Sequence, residues 1–532
     1  MQARVTDTET SVPRTNFRDD SSTRYLCAGT YLDAPFRDWV LKNVYADTGR
    51  RVAPSYGFDV VPVLMHARNA WLFDAAQNTC LTALLAIAAW CAAPSMALLV
   101  TCAYLWFLAM NVRGYLRQRI RRFLRTPHSR DAGLYQESMH LAEERRRLRE
   151  TLTIALVLAG FTVALTAWLQ WGVWRVLLGT APILLLAGLV YAVAELGRFH
   201  ALRALGHRVG PVTRNKRLAT IDDQQRSPVV AYAEDPFIGS GQVVHSWAFT
   251  QHLLRPRADE DGPKGSEFSQ PPFRTRELVA HIRADLLRLA QDRGEETQIP
   301  GLEVDDLLLV EGRHLGRYER LLAHRPVLAQ FEEFMADSRA PGRHHLACRV
   351  ISWGGEIVTT VYLHTSLQGG LLTLKYTIHA LTPTLPAFQM IDAVGRTDAM
   401  AASRAALRKL VCAPRALLAP LDFCKALRDA RKVLGSPKDR TTGARHNIGA
   451  MVSAREHLTT PRDGTYFQEL DVAKHSKIIE RRIISSVGGF LKGKVLTDEY
   501  VERTNYILNN GVLNMGSGDI TMGDGNTVGG IA

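Results

Sequence analysis

Two long apolar blocks, residues 79–112 and 152–196, dominate the hydropathy pattern, and an arginine-crowded segment, 113–149, separates them. Each is too long for one crossing, because a bilayer core takes about 20 helical residues at 1.5 Å rise. Each also has a break in its middle. In the first it is Ala93-Pro94-Ser95, and in the second Gln170-Trp171-Gly172-Val173-Trp174-Arg175, whose tryptophans suit a membrane interface. The pattern therefore predicts four spans at 72–92, 95–112, 152–171 and 173–194, with Pro94 also compatible with one kinked helix or a re-entrant hairpin. A helix pair buried in a soluble protein would be apolar too, but four adjacent stretches with almost no charge are rare in soluble folds.

Outside these blocks the periodicities are those of a water-soluble fold. Phe36, Val40 and Val44 recur at helical spacing before the break Pro54-Ser55-Tyr56-Gly57, which predicts a small helical cap. Residues 228–232 and 243–249 read as strands on either side of the turn 235–241. Leu278, Ile282, Leu286, Leu287 and Leu289 give an amphipathic helix over 274–293. Residues 346–350, 357–363 and 371–381 read as a three-strand meander with glycine turns. Helical tracts follow at 397–433 and 470–491. The expected fold class is a membrane protein with four transmembrane α-helices, in two hairpins, plus a cytoplasmic α+β domain. Its parts are a helical cap (1–70), hairpin 1 (71–112), a basic loop (113–151), hairpin 2 (152–196), a basic juxtamembrane segment (197–226), the α+β domain (227–508) and an Asn/Gly-rich tail (509–532).

Charge adds an orientation. The basic loop carries Arg113, Arg117, Arg119, Arg121, Arg122 and Arg125 and ends in Arg145-Arg146-Arg147-Leu148-Arg149, whereas the two hairpin tips share one cation, Arg175. Insertion keeps Lys and Arg on the cytoplasmic side, so the loop, both termini and everything after residue 196 are expected inside an inner membrane. The first 70 residues hold no apolar stretch of signal-peptide type, which leaves the first span as the insertion signal. The net charge of +13 sits largely beside the spans. It reads as attraction to the bilayer and its anionic phospholipid, with the six named arginines as headgroup contacts, rather than to nucleic acid, which is not expected as a partner. The plainer alternative is that these arginines only set topology.

Candidate chemistry is sparse. The seven cysteines, Cys27, Cys80, Cys91, Cys102, Cys348, Cys412 and Cys424, form no CxxC and no zinc spacing, and so read as reduced thiols. Gly488–Lys494 has the glycines and lysine of GxxxxGK, but Val495 stands where a P-loop needs Ser or Thr, so a helix end is the better reading. The 236–241 turn could form a phosphate nest, although a hairpin connection is the commoner use. His344, His345, His364 and His379 lie on neighbouring strands without a carboxylate or thiol at ligand spacing. No hydrolase, kinase, zincin or dinucleotide signature occurs, and no cofactor is expected. Within the spans only Glu195 approaches an ionisable group, which argues against transport through one subunit.

The tail alternates short strand-like pieces with Gly and Asn, as in Asp519-Ile520-Thr521-Met522. That suits a rung-and-corner β-arc, which needs copies from other chains to bury its sides. Asn509, Asn510, Asn514, Ile520, Met522, Asn526 and Val528 are the candidate positions for homotypic assembly. The tail resembles the Asn/Gly-rich amyloid-signalling peptides of some bacterial effectors, a likeness that implies self-assembly; a solvated tail is the alternative. More broadly, Ala53-Pro54-Ser55-Tyr56-Gly57, the 235–241 turn and Tyr466-Phe467-Gln468 make the chain similar to uncharacterised actinobacterial multi-pass membrane proteins, which implies membrane placement and no particular activity. The expected role is an inner-membrane anchor for a binding or sensing domain, with an unidentified cytoplasmic protein as partner and a tail that joins copies into a homo-oligomer. Two alternatives stand beside it: a membrane-perturbing effector whose hairpins gather into a pore, and a membrane-tethered enzyme without a recognisable motif.

Overall fold

The computed structural model describes residues 21–105, 108, 153–170, 172–207, 215–257, 263–291, 298–318, 331, 334–335, 339–394, 403–405, 407–408, 415–435, 449–458, 464–502, 504, 520–522 and 526–528. In chain order, α1 (Ser21–Leu32) and α2 (Ala34–Val40) precede α3 (Val60–Cys91). The apolar blocks continue with α4 (Ala93–Leu105), α5 (Thr153–Trp168) and α6 (Val173–His207). Then come α7 (Lys216–Gln225), β1 (Val229–Tyr232), β2 (Gln242–His252), α8 (Thr275–Gln291), β3 (Leu302–Glu311), β4 (Gly342–Ser352), β5 (Ile357–Gln368) and β6 (Leu371–Leu381). Helices α9 (Ala419–Leu434) and α10 (Tyr466–Leu491) and the short strands β7 (Ile520–Met522) and β8 (Asn526–Val528) complete the order.

The chain divides into two compact units. One contains residues 1–68, 202–395 and 432–532 and is built on a six-stranded mixed sheet in the order β1-β3-β4-β5-β6-β2. Only β1 and β3 run parallel. The expected meander is therefore the middle of a larger sheet. The expectation of β1 and β2 as neighbours across a turn is corrected: β1 pairs with β3 and β2 with β6, so the 233–241 segment carries the chain from one sheet edge to the other. Strand β3 was not predicted. Its Asp305-Asp306 pair interrupts the alternation, and the partners that satisfy those carboxylates come from β4 and α8.

One face of the sheet is apolar and lies under α8 and α10. Leu278, Ile282, Leu286 and Leu289 of α8 and Ile479, Ile483, Val487 and Leu491 of α10 form one buried core with Leu346, Cys348, Val361, Leu374 and Ile378. Helix α10 starts on a capping box, Thr465 with Gln468, and ends at Leu491, so Gly488 and Gly489 belong to a helix end. The other face is covered near β1 and β3 by the 53–57, 235–241 and 449–458 segments. Gly57 and Gly355 both have positive φ, and a Cβ on Gly57 would stand 2.5 Å from Val358 Cγ2, so this approach of loop to sheet requires glycine. Arg217 of α7, buried, donates to the carbonyls of Tyr45, Val44 and Asp47 and ties down the π-helical turn Leu41–Tyr45.

The second unit comprises residues 69–201 and 396–431. The expected breaks are present, α3 ending at Cys91 and α5 at Trp168. Two helices, Val60–Cys91 and Val173–Leu205, are long and apolar enough to cross a bilayer; Ala93–Leu105 and Thr153–Trp168 are apolar but shorter. Both long helices overrun the expected spans at one end, because hydropathy marks only their apolar stretch while the backbone pattern continues. Leu81, Ala187, Ala416 and Ala419 pack together, Ser95 Oγ donates to the Val176 carbonyl at 2.9 Å, and the Thr101 and Thr162 hydroxyls meet at 2.8 Å. Arg198 pairs with Asp74 and Glu195 and donates to Gln77 Oε1. Glu195 is therefore not alone: Asp74 also lies inside a predicted span, and the structure brings both to one arginine. Trp90, Trp168 and Trp174 are 90, 79 and 78% exposed, with Leu156, Phe161, Val163, Leu178 and Leu185 also exposed.

Candidate functional site

Polar groups gather at two places in the sheet unit, and strand alternation decides which residue serves which. His344 and His345 are consecutive and so face opposite ways. On the helix-covered side, Asp306 accepts from or donates to His344 Nε2 at 2.9 Å, depending on proton position, and pairs with Arg283 of α8 at 3.3 Å. Asp306 and His344 are both nearly inaccessible, while Arg283 is one-third exposed. Asp306 and Arg283 border a cleft of about 310 Å³ beside α8, lined also by Arg276, Glu277, Val279, Leu287 and Met335 among others. This lies at the small end of ligand-site volumes and is largely apolar, with two arginines and the carboxylates of Glu277 and Asp306 at its wall. Sequence inspection missed Asp306 and Arg283, and only the histidine signal pointed toward them.

On the other side, Tyr362 of β5 sits centrally. Its hydroxyl meets Ser240 Oγ at 2.5 Å, and Phe237 packs on its ring at 4.7 Å. Arg349 pairs with Asp305 and lies 4.5 Å over the Tyr56 ring. The rings of His345 and His364 are 5.0 Å apart. Burial pushes the His345 imidazole down to about 3, helped by neighbouring His364, and burial also lowers His364 and His379. His345 Nδ1 approaches the Arg343 carbonyl, His364 the His344 carbonyl and His379 the Gly241 carbonyl. These are neutral rings bound to backbone. Among the described residues no group of three or more His, Cys, Asp or Glu is placed to hold a metal.

The 235–241 turn does form a nest of amides. Gly239 N and Gly241 N both donate at 2.8 Å to Glu456 Oε1, so the chain's own carboxylate occupies it. Burial raises the Glu456 pKa, opposed by those two amides. Neighbouring Arg455, fully buried, donates to the carbonyls of Glu356 at 2.5 Å and of Tyr56 and Thr382 at 3.3 Å. Trp39 stacks on His457 at 3.8 Å. The 449–458 segment is thus a built-in filler of the turn, invisible to a reading of the turn alone.

Of the expected assembly positions, Ile520 faces Val528 and Met522 faces Asn526 in an antiparallel hairpin. This corrects the expected β-arc, whose two strands would not bond each other, because β7 and β8 pair with one another. Asn509, Asn510 and Asn514 lie outside the described residues, as do Arg113, Arg117, Arg119, Arg121, Arg122 and Arg125. Residues 246–522, from within β2 to the end of β7, match the family described as the AbeC-like domain. No curated protein and no solved structure matches the chain.

Proposed function

For a chain that belongs to the AbeC-like domain family, we propose the role of an integral inner-membrane protein: four apolar helices anchor a cytoplasmic binding or sensing domain, and the tail joins copies. The observation that carries this reading is the exposed apolar surface of α3, α5 and α6, with Trp90, Trp168 and Trp174 outermost; soluble proteins rarely leave so large an apolar area to water. The six loop arginines, near the cytoplasmic ends of the spans, contact anionic headgroups. Binding is favoured over catalysis because the nest is filled by Glu456, and His345, His364 and His379, lowered by burial, are bound to backbone carbonyls.

Alkaline carbonate extraction of cell membranes tests the anchor, and protease access to the sheet domain in inverted and right-side-out vesicles tests its side. Retention in the pellet with digestion only in inverted vesicles is expected. Release by carbonate would remove the membrane reading. The cleft beside α8 favours a second, compatible reading, in which the domain's ligand is small and seats against Arg283 and Asp306.

A further inference from the structure

Sequence periodicity assigns the helical tract 397–433 to the cytoplasmic domain, yet residues 396–431 belong to the unit of the apolar helices. Ala416 and Ala419 share a buried cluster with Leu81 of α3 and Ala187 of α6. Between them, Leu417 packs on Leu85 and Ala88 of α3 and Ile183 of α6. Helix rise gives the level of these contacts. Leu81 and Ala88 stand about 10 and 21 Å farther along α3 than Asp74, and Ala187 and Ile183 about 16 and 22 Å back along α6 from Arg198. Asp74 and Arg198 pair with one another. Where α3 and α6 cross a bilayer with that pair at its cytoplasmic side, the contacts fall within the hydrocarbon, whose half-thickness is about 15 Å.

The residues at this level suit it. From 416 to 421 the chain reads Ala-Leu-Leu-Ala-Pro-Leu, too short an apolar stretch to cross a bilayer. Leu418 and Leu421 are exposed, as are Ile87 of α3 and Leu185 and Leu186 of α6. Irregular backbone is tolerated in hydrocarbon only where protein covers it, and the turn 415–418 is held by the buried Ala416 and Ala419 at its end. Arg415, exposed at the start of that turn, has the length to carry its charge toward the headgroups. Charge returns in the second half of α9, where Lys425, Arg428, Arg431 and Lys432 outnumber Asp422 and Asp429. Lys425 lies about 9 Å along α9 from Ala419, close to the rise that separates Leu81 from Asp74. An apolar start in the acyl chains therefore leaves the basic turns at the headgroups, where anionic lipid attracts them.

We propose that residues 416–421, with the first turn of α9, form a re-entrant element that enters the hydrocarbon from the cytoplasmic side against α3 and α6. Its exposed leucines contact lipid acyl chains, and residues 425–432 hold its exit at anionic headgroups. This rests on the membrane anchoring proposed above, which supplies the depth of α3 and α6.

The test uses the full-length protein in vesicles of phosphatidylethanolamine and phosphatidylglycerol. These carry a phospholipid with a photoactivatable diazirine either at the end of an acyl chain or on the headgroup. Sites of carbene insertion are read by mass spectrometry of tryptic peptides. Cleavage after Arg415, Lys425, Arg175 and Arg198 separates 416–425 from the α6 peptide 176–198, so each reports alone. The acyl-chain probe should modify both peptides, with Leu418 and Leu421 among the sites, and the headgroup probe should modify 425–432. Loss of acyl-chain adducts from 416–425, with 176–198 still modified, would overturn the re-entrant element and leave the anchor standing, whether water or a second copy covers those leucines. Headgroup adducts on 416–421 in place of acyl-chain adducts would overturn the depth, because they report a helix lying on the surface. Absence of acyl-chain adducts from both peptides would overturn the anchor itself.

Discussion

At the scale of single residues, the sheet unit is organised by buried polar groups that answer one another across long sequence separations. Arg455 donates to three carbonyls from different segments. Arg455→Met would leave them unpaired in the interior, and a loss of about 3 kcal/mol or more is expected, read from thermal or denaturant unfolding in detergent. Gly57→Ala adds both a positive-φ penalty and a 2.5 Å contact with Val358; it should cost about 2 kcal/mol or more by the same measurement. Acid has a signed effect. His345 stays neutral in the fold down to about pH 3, whereas the unfolded chain binds its proton near pH 6.5. Its contribution is therefore present above about 6.5 and lost as pH falls below it, at up to about 1.4 kcal/mol per unit. Glu456 works oppositely: its raised pKa means that its contribution grows on acidification and is lost as pH rises through the folded value. His345→Phe should flatten the acid limb of stability between pH 6.5 and 5, and an unchanged slope would refute the assignment.

At the scale of elements, what could be read from the sequence depended on whether the signal was local. Helix α8 was legible because Leu278, Ile282, Leu286 and Leu289 repeat at helical spacing and all are buried. Ile282→Ala, with no accessible surface at that position, should cost about 2–5 kcal/mol, measured as a lowered unfolding midpoint. Strands β4 to β6 were legible because each is a short run rich in apolar and β-branched residues bounded by glycine turns close in sequence. Strand β3 was not, since Asp305 and Asp306 sit in its middle and their partners Arg349, His344 and Arg283 come from elsewhere. The pairing of β1 and β2 was beyond reach too: proximity in sequence suggested a hairpin, and the glycine turn between them gives no sign that it spans the sheet. As for the candidate sites, the histidines stood out as residue types, but only the strand pairing separates His344, beside Asp306, from His345 on the opposite face. The 236–241 nest was visible as a glycine pattern, while its occupant, Glu456, lay two hundred residues away.

At the scale of the molecule, the proposed anchoring makes a prediction independent of any sheet detail. Trp90, Trp168 and Trp174, three of the nine tryptophans, are the most exposed aromatic side chains of the apolar helices among the described residues. In vesicles of brominated phospholipid their emission should be quenched, and replacing all three by Phe should lower the quenching, with Trp71, Trp106 and Trp171 left to report the remainder. Emission unaffected by brominated lipid would contradict placement of these helices in a bilayer. In the sheet unit, the carboxylate in the 235–241 nest has a different kind of consequence. Glu456 is attached to the same chain as the amides it binds, so it acts as a competitor at an effective concentration in the millimolar range or above. Any free anion directed at Gly239 and Gly241 faces that competitor permanently. Binding it and lifting residues 449–458 away would be one equilibrium, and whatever loosens Arg455 or the Trp39–His457 stack would raise its apparent affinity by the same factor.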